Sequence, residues 1–274
     1  MSKKTHSAAD GYILMEMLAV SASREIKDGE VVFAGTGLPM LAALLAKATH
    51  APNSVMVTEA GIYDPSPLHM PTSVSDSRWY YNSPWSAGPH ELMHYFLQAG
   101  RIDVGFLGGA QIDRYGNLNS TVVGDYNHPK RRLPGAGGAS DIAILSKRTI
   151  ISMVHEKRRF VDSVDYITTP GWKCWKYPEH ELVAREELDM WGGPAAVVSD
   201  MGVMKFDEDT KEMYVAEYFA DRDITPEMIK ENTAFDIDLS RAVPAKPPTD
   251  EELTILREEV DPNRFFLGRQ RKES

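Results

Sequence analysis

The chain is poor in cysteine. Cys174 is the one thiol among 274 residues, so no intrachain disulfide can form and a reducing compartment, the cytoplasm, is expected. Long apolar runs are also missing: no stretch of about 18 or more apolar residues occurs, which argues against a transmembrane helix. The opening MSKKTHSAADGY starts basic but lacks the apolar centre of a secretory leader, so none is expected. Positive charge is in deficit, with 30 Lys and Arg against 40 Asp and Glu and a formal net charge of -10. Phosphate backbones would be repelled, which disfavours nonspecific nucleic-acid binding. The dinucleotide pattern GxGxxG and the phosphate-loop pattern GxxxxGK[ST] are both absent, as are internal repeats and low-complexity tracts.

What is present is ordinary globular material. Hydrophobic residues make up 42% and charged residues 26% of the chain, enough for a substantial core. Apolar positions at helical spacing predict a helix over 10–27, with Asp10 as its N-cap. VVFAGTGLP (31–39) reads as a short buried strand entering a glycine turn, MLAALLAKAT (40–49) as a helix, and SVMVTEAG (54–61) as a second strand. HELMHYFLQAG (90–100) is helical with a terminal glycine. VGFLGGAQID (104–113) predicts a further strand, RYGNLNST (114–121) a tight turn, and TIISMVH (149–155) another strand after the glycine-rich GAGGASD (135–141). Nearly continuous apolar strands alternating with helices predict an α/β fold, an open and mainly parallel sheet with helices on both faces. No linker interrupts this before about residue 240, so 1–274 is read as a single domain. From about 240 the Pro-rich AVPAKPPTDEEL is extended and leads to a last helix over 249–259.

Several residues are candidates for chemistry. Glu59 ends an apolar strand and is followed by Ala60 and Gly61, small neighbours that leave room for a ligand beyond the carboxyl ends of the strands. A strand-end glutamate also commonly caps backbone or pairs with arginine. GTGLP (35–39) and GAGGA (135–139) allow close backbone approach and present N–H groups to an anion, or are plain turns. Gln111 places an amide in an apolar strand, where it either satisfies structure or polarises a substrate. His90-Glu91-Leu92-Met93-His94 fits HExxH, the spacing that puts two histidines on one helix face for zinc. The metzincin continuation is missing, no second-helix carboxylate is evident, and no metal is expected. The basic runs HPKRR (128–132) and HEKRR (155–159) are phosphate contacts or, more commonly, solvated surface. RWYYNSPW (78–85) and the pair Trp172 and Trp175 are rich in aromatics for loops, suiting an acyl pocket, an interface or core packing.

In order, GTGLP, TEAG, GGAQIDRYGNLNST, GDYNHPK, GAGGASDIA, HEKRRF, YITTPGW, GVMKFD, KEMYVAEY, NTAFDIDLSRAV and REEVDP span about residues 10–262. This series resembles the family I CoA-transferases, in the B subunits of the glutaconate CoA-transferase type. The resemblance implies the CoA-transferase (NagB/RpiA-like) fold, a homologous A subunit as partner in a hetero-oligomer, and coenzyme A as both substrate and covalent intermediate, without metal. It implies that Glu59 is the nucleophile of a ping-pong reaction, forming an acyl-glutamyl anhydride and then a glutamyl-CoA thioester. Gln111 and the backbone of Gly137 and Gly138 match the expected oxyanion donors, with Gly35, Gly37, Gly135, Ala136 and Ala139 around the CoA. Family members usually carry serine after the glutamate, where this chain has Ala60. The segments 78–88 and 171–195 depart most from the glutaconate-type pattern. If they line the acyl pocket, Trp79, Trp85, Trp172 and Trp175 admit a bulkier or aromatic acid. Relatives on the same fold decarboxylate or hydrolyse CoA esters, and a non-catalytic CoA-binding partner subunit is the third reading; retention of Glu59 favours transfer.

Overall fold

The computed structural model describes residues 11–268 apart from positions 177 and 180. Helix α1 (Leu14–Arg24) is shorter than the periodicity suggests. Its N-cap is Ile13, whose N–H is taken by the Glu16 carboxylate at 3.0 Å; Asp10, the expected cap, lies outside the described residues. Strand β1 (Val31–Phe33) turns through Gly35 and Gly37 into α2 (Leu38–Ala48), with Pro39 in the first turn where its missing N–H costs nothing. Strands β2 (Val55–Val57), β3 (Ile62–Tyr63) and β4 (Trp85–Ser86) follow.

Helix α3 (Pro89–Glu91) widens into a π-helical segment, Leu92–Gln98, before β5 (Val104–Leu107). The expected strand over 104–113 is interrupted at Gly108-Gly109. Beyond it the chain makes two hairpins, β6 (Gln111–Ile112) with β7 (Leu118–Asn119) and β8 (Val122–Gly124) with β9 (Pro129–Arg132). It then returns through α4 (Ala139–Leu145) to β10 (Arg148–Met153). A second excursion holds the hairpin β11 (Lys173–Lys176) and β12 (Glu181–Ala184). Strands β13 (Pro194–Ser199), β14 (Gly202–Phe206) and β15 (Met213–Tyr218), helix α5 (Pro226–Glu231) and β16 (Val243–Pro244) complete the sheet. Helix α6 (Asp250–Ile255), capped by Thr249, runs into a second π-helical turn, Leu256–Val260.

The large sheet has the order β16-β15-β14-β13-β10-β5-β1-β2-β3-β4. Its five central strands, β13 to β2, are parallel, and antiparallel pairs flank them on both sides. Adjacent residues of one strand enter different cores. Val32, Phe106 and Ile150 join the cluster under α1 and α2, whereas Phe33, Leu107 and Ile151 join the cluster that holds Leu92, Leu97 and Ile142. This period-two split is why the central strands read as unbroken apolar runs. The C-terminal segment is fastened across α1 by ion pairs Arg24–Glu252 and Arg257–Glu16, both at 2.7 Å. The chain passes from β1 to β2 on one side and crosses back to β5 on the other, so the order reverses beside β1. Ligands of open α/β sheets collect beyond the carboxyl ends of the strands at such a reversal.

Candidate active site

Glu59 stands on the first turn beyond β2. Gly61 N–H donates to the Thr58 carbonyl at 2.9 Å, which closes a turn with Glu59 and Ala60 at its centre. Gly61 sits at φ +81°, and a side-chain carbon there would lie 2.0 Å from the Ala87 carbonyl oxygen. Only glycine fits, which accounts for the small residues behind the acid. The Glu59 side chain is exposed and makes no hydrogen bond or ion pair among the described residues. Desolvation of this carboxylate, expected from its place at a strand end, is therefore not supplied by the chain itself. A structural cap or arginine partner is equally missing among those residues.

A cleft of about 220 Å³ joins the ends of three strands. Phe33 and Gly35 come from the end of β1, Glu59 from the turn after β2, and Phe106, Leu107 and Gly108 from the end of β5; Ala136 to Gly138, leading into α4, close it with Ala139 and Ile142 of that helix. Glu59 Oε1 lies 3.8 Å from where a side-chain carbon of Gly138 would be. Gly135 N–H is used by the Ser120 carbonyl and Ala139 N–H by the Ala136 carbonyl, both at 2.9 Å. The N–H groups of Gly137 and Gly138 have no acceptor among the described residues. Gly135 and Gly137 adopt φ +98° and +51°, conformations that favour glycine.

The site depends on how α4 is held. Gly105 lets the helix lie directly on β5: a side-chain carbon there would fall 2.4 Å from Ile142 Cγ2 and 2.7 Å from Ser146 Oγ. At the other end of α4, the Arg185 guanidinium donates to the Ala143 carbonyl, and Trp191 N–H donates to the Ile144 carbonyl at 2.9 Å. Arg185 is 1% exposed. Its remaining donors go to the carbonyls of Pro170, Gly171 and Trp191. Burial lowers its pKa to about 10, so it stays charged at neutral pH and complements the negative end of the helix. Neither Arg185 nor its role has a local signature in the sequence.

Other expected residues are placed elsewhere. Gln111 lines a separate cavity with Ala110, Val123, Arg131, Leu133, Arg158 and Arg159. Its amide nitrogen donates to Asp165 Oδ2 at 3.0 Å, and its oxygen accepts from Asn119 at 2.6 Å and from Asp165 N–H at 3.1 Å. This is a structural clasp, and Gln111 does not line the Glu59 cleft. Gly37 is the N-cap of α2 and is likewise not a lining residue.

None of the four tryptophans lines the cleft. Trp79 is buried in the core and donates to the Ser73 carbonyl. Trp85 packs on Tyr63 and Phe96. Trp172 donates to the Pro194 carbonyl at 2.7 Å, and Trp175 is exposed on β11.

In the HExxH segment, the His90 and His94 rings lie 4.1 Å apart, and His94 Nδ1–H donates to the His90 carbonyl. No cluster of three or more His, Cys, Asp or Glu side chains suited to a metal ion occurs among the described residues. Met93, between the histidines, instead reaches 3.5 Å from the Gly138 side-chain position.

Two buried titratable groups lie outside the cleft. Burial lowers the pKa of His155 to about 3; its ring is held between Ser199 and Thr233 hydroxyls and stacks on Phe160. Burial raises the pKa of Asp113 to about 6, although the carboxylate accepts from Tyr115 N–H and from both Asn117 nitrogens.

The model of the coenzyme A transferase family matches residues 15–225. The chain belongs to the coenzyme A transferase family. Across 93% of its length this transferase chain is 44% identical to the B subunit of glutaconate CoA-transferase from Acidaminococcus fermentans, covering 95% of that protein. It is 40% identical to the B subunit of 3-oxoadipate CoA-transferase from Pseudomonas knackmussii, over 90% of this chain and 92% of the other. Among solved structures, glutaconate CoA-transferase from A. fermentans superposes with a TM-score of 0.86 at 42% identity, covering 95% of this chain and 99% of that one. Coenzyme A is thus a substrate of the enzyme to which this transferase chain contributes.

Proposed function

We propose that this chain is the B subunit of a heteromeric CoA-transferase in which Glu59 exchanges CoA between an acyl-CoA and a carboxylic acid. The observation that carries the reading is the meeting of an unpaired carboxylate with the unoccupied N–H groups of Gly137 and Gly138 in one cleft. The Glu59 carboxylate attacks the thioester carbonyl. The acyl–sulfur bond breaks, CoA leaves as thiolate, and an acyl-glutamyl anhydride remains. The thiolate then attacks the glutamyl carbonyl, releasing the free acid and leaving Glu59 as a CoA thioester. A second acid runs the sequence backwards and departs as its CoA ester.

Thioester and anhydride are both activated, so acyl activation is conserved without ATP. Each attack builds negative charge on a tetrahedral oxygen, and preorganised N–H donors stabilise it in proportion to how dry the site is. Gly35, Gly108 and Ala136 keep the walls low enough for the thioester to reach the carboxylate. Glu59 is open to solvent in this chain, so the reading requires an A-type subunit to cover it. Exclusion of water protects the anhydride and strengthens both the nucleophile and its N–H partners. The compartment consistent with this chemistry and with the lone thiol is the cytoplasm.

The test is intact and peptide mass spectrometry of the two-subunit complex incubated with acyl-CoA and no acceptor. CoA attached to Glu59 supports transfer. Turnover without an adduct, accompanied by loss of CO2 or by net hydrolysis, moves the protein to the lyase or hydrolase branch of the fold. Full activity of a Glu59→Ala complex reduces this chain to a supporting partner.

A further inference from the structure

The loop that bears Gly137 and Gly138 has little stiffness of its own. Gly135 and Gly137 sit at positive φ, and glycine loses more freedom on being fixed than any other residue. Oxyanion donors are effective when they are already in place, so the loop has to be held from outside. Two serines do this. Ser120, directly after β7, exchanges two bonds with Gly135: its hydroxyl donates to the Gly135 carbonyl and its carbonyl accepts from Gly135 N–H, both at 2.9 Å. Ser140, in the first turn of α4, donates its hydroxyl to the Thr168 carbonyl at 2.8 Å. Residues 136–139 hang between these anchors.

Both anchors lead to Thr168. Its Oγ1 accepts from Ser120 N–H at 2.9 Å and lies 2.7 Å from Oγ1 of Thr121. The Thr121 carbonyl in turn accepts from Leu133 N–H at 2.9 Å, on the approach to the loop. Thr168 is buried and is itself tied to β7. Its N–H donates to the Leu118 carbonyl at 2.8 Å, and the Thr169 carbonyl accepts from Leu118 N–H at 3.0 Å. The chain then passes Pro170 and Gly171, whose carbonyls accept from the Arg185 guanidinium that also donates to Ala143. Segment 168–171 is thus a splint joined to α4 at Ser140 directly and at Ala143 through Arg185, with Thr168 at the end nearest the glycine loop.

We propose that Thr168 is a positioning residue for the oxyanion donors, holding the 135–138 backbone in register with Glu59 through Ser120 on one side and Ser140 on the other. The inference rests on the transferase reading above. Thr168 does not line the cleft, so its effect on the reaction passes through the loop. A hydroxyl that serves stability alone leaves kcat unchanged when it is removed. One that keeps donors in place for the transition state lowers kcat and kcat/KM together.

The experiment uses the complex with its A-type partner, wild type and with Thr168→Val, Thr168→Ser or Ser140→Ala; acetyl-CoA and glutaconate are the probe pair. Valine keeps the shape of threonine and deletes the hydroxyl, which leaves Ser120 N–H without its acceptor. Ser140→Ala leaves every backbone bond in place and decides the matter if the valine variant does not assemble. In Thr168→Val and in Ser140→Ala, kcat is expected to fall about tenfold while KM for acetyl-CoA stays within about twofold, and Thr168→Ser is expected to recover most of the loss. An unchanged kcat in either hydroxyl-deleted variant overturns the proposal, and so does a loss confined to KM or one that serine does not recover. Absence of CoA transfer by the wild-type complex counts against the transferase reading, and the clasp is then read without turnover, by hydrogen exchange of the complex. Faster exchange in Thr168→Val of peptides holding the Gly135 and Ala139 amides, with β10 unchanged, sustains it; equal exchange, or faster exchange throughout, refutes it.

Discussion

Replacing Gly105 by alanine tests whether the seat of α4 controls the chemistry at its far end. The new methyl carbon would stand 2.4 Å from Ile142 Cγ2 and 2.7 Å from Ser146 Oγ, against about 3.5–4.0 Å for a relaxed carbon contact. Either Ile142 leaves its rotamer or the helix retreats from β5 by about 1 Å. Overpacking of this kind costs about 1–3 kcal/mol, which denaturant unfolding of the isolated chain measures as a lowered midpoint at constant slope. Ile142 also lines the cleft, and its Cδ1 lies 3.9 Å from the Gly138 side-chain position. A shift there moves the proposed oxyanion donors relative to Glu59, and a misplacement of about 1 Å is worth roughly 100-fold in kcat. Gly138→Ala is the matching control. Its backbone is at φ -82° and its methyl would meet Met93, Glu59 and Ile142 at 3.5, 3.8 and 3.9 Å, ordinary contacts, so the midpoint should hold while the methyl obstructs the cleft and kcat falls. A Gly105→Ala complex with kcat within about twofold of wild type and an unmoved midpoint would falsify the coupling between helix seat and catalysis.

Glu59→Gln should abolish transfer, by roughly four orders of magnitude or more in kcat. It should also leave the unfolding midpoint within about 0.5 kcal/mol, because the side chain anchors nothing. Arg185→Leu should destabilise the chain by about 3 kcal/mol or more by stranding the carbonyls of Ala143, Pro170, Gly171 and Trp191. Arg185→Lys, without the planar fork, should recover little of this in the same unfolding assay. His155 carries an acid dependence: burial lowers its pKa from 6.5 to about 3, so between those values the unfolded chain binds a proton that the folded chain refuses. Its contribution is complete above pH 6.5 and is lost as pH falls; a His155→Gln chain should show a shallower acid limb in urea midpoints from pH 6.5 downward. Trp175→Ala should leave the preference among acids unchanged in competition assays, since Trp175 is not a lining residue of the cleft.

The strands were legible where burial on both faces makes a short, nearly unbroken apolar run, as in the segments that became β1, β2, β5 and β10. Gly108-Gly109 was visible as a glycine pair but not as the point where a strand ends and a hairpin begins, because that depends on which segments pair. TEAG could be read as small residues around an acid. That Gly61 is compelled by the Ala87 carbonyl could not, since Ala87 is 26 positions away. Arg185 was hidden for the same reason: a lone arginine in a charged stretch looks like surface until four carbonyls from three segments are found around it. Aromatic richness did not mark the Glu59 cleft, because Trp79 is core and Trp85 packs on Tyr63 and Phe96, contacts that periodicity does not encode. HExxH marked a helix; no cluster of metal-ligating side chains forms there among the described residues, and its Met93 faces Gly138.

The two excursions beyond β5 and β10 bear on how such a protein changes over generations. Glu59, Gly35 and Gly108 stand just beyond the ends of β2, β1 and β5, and the Gly137-Gly138 backbone just before α4, so the cleft hangs on the parallel centre of the sheet. The excursion beyond β5 carries the β6-β7 and β8-β9 hairpins and the one beyond β10 the β11-β12 hairpin, each a two-stranded sheet apart from the large one. A change of sequence in the excursions therefore leaves the strand ends that seat Glu59 in place, because the excursions are folded on hairpins of their own.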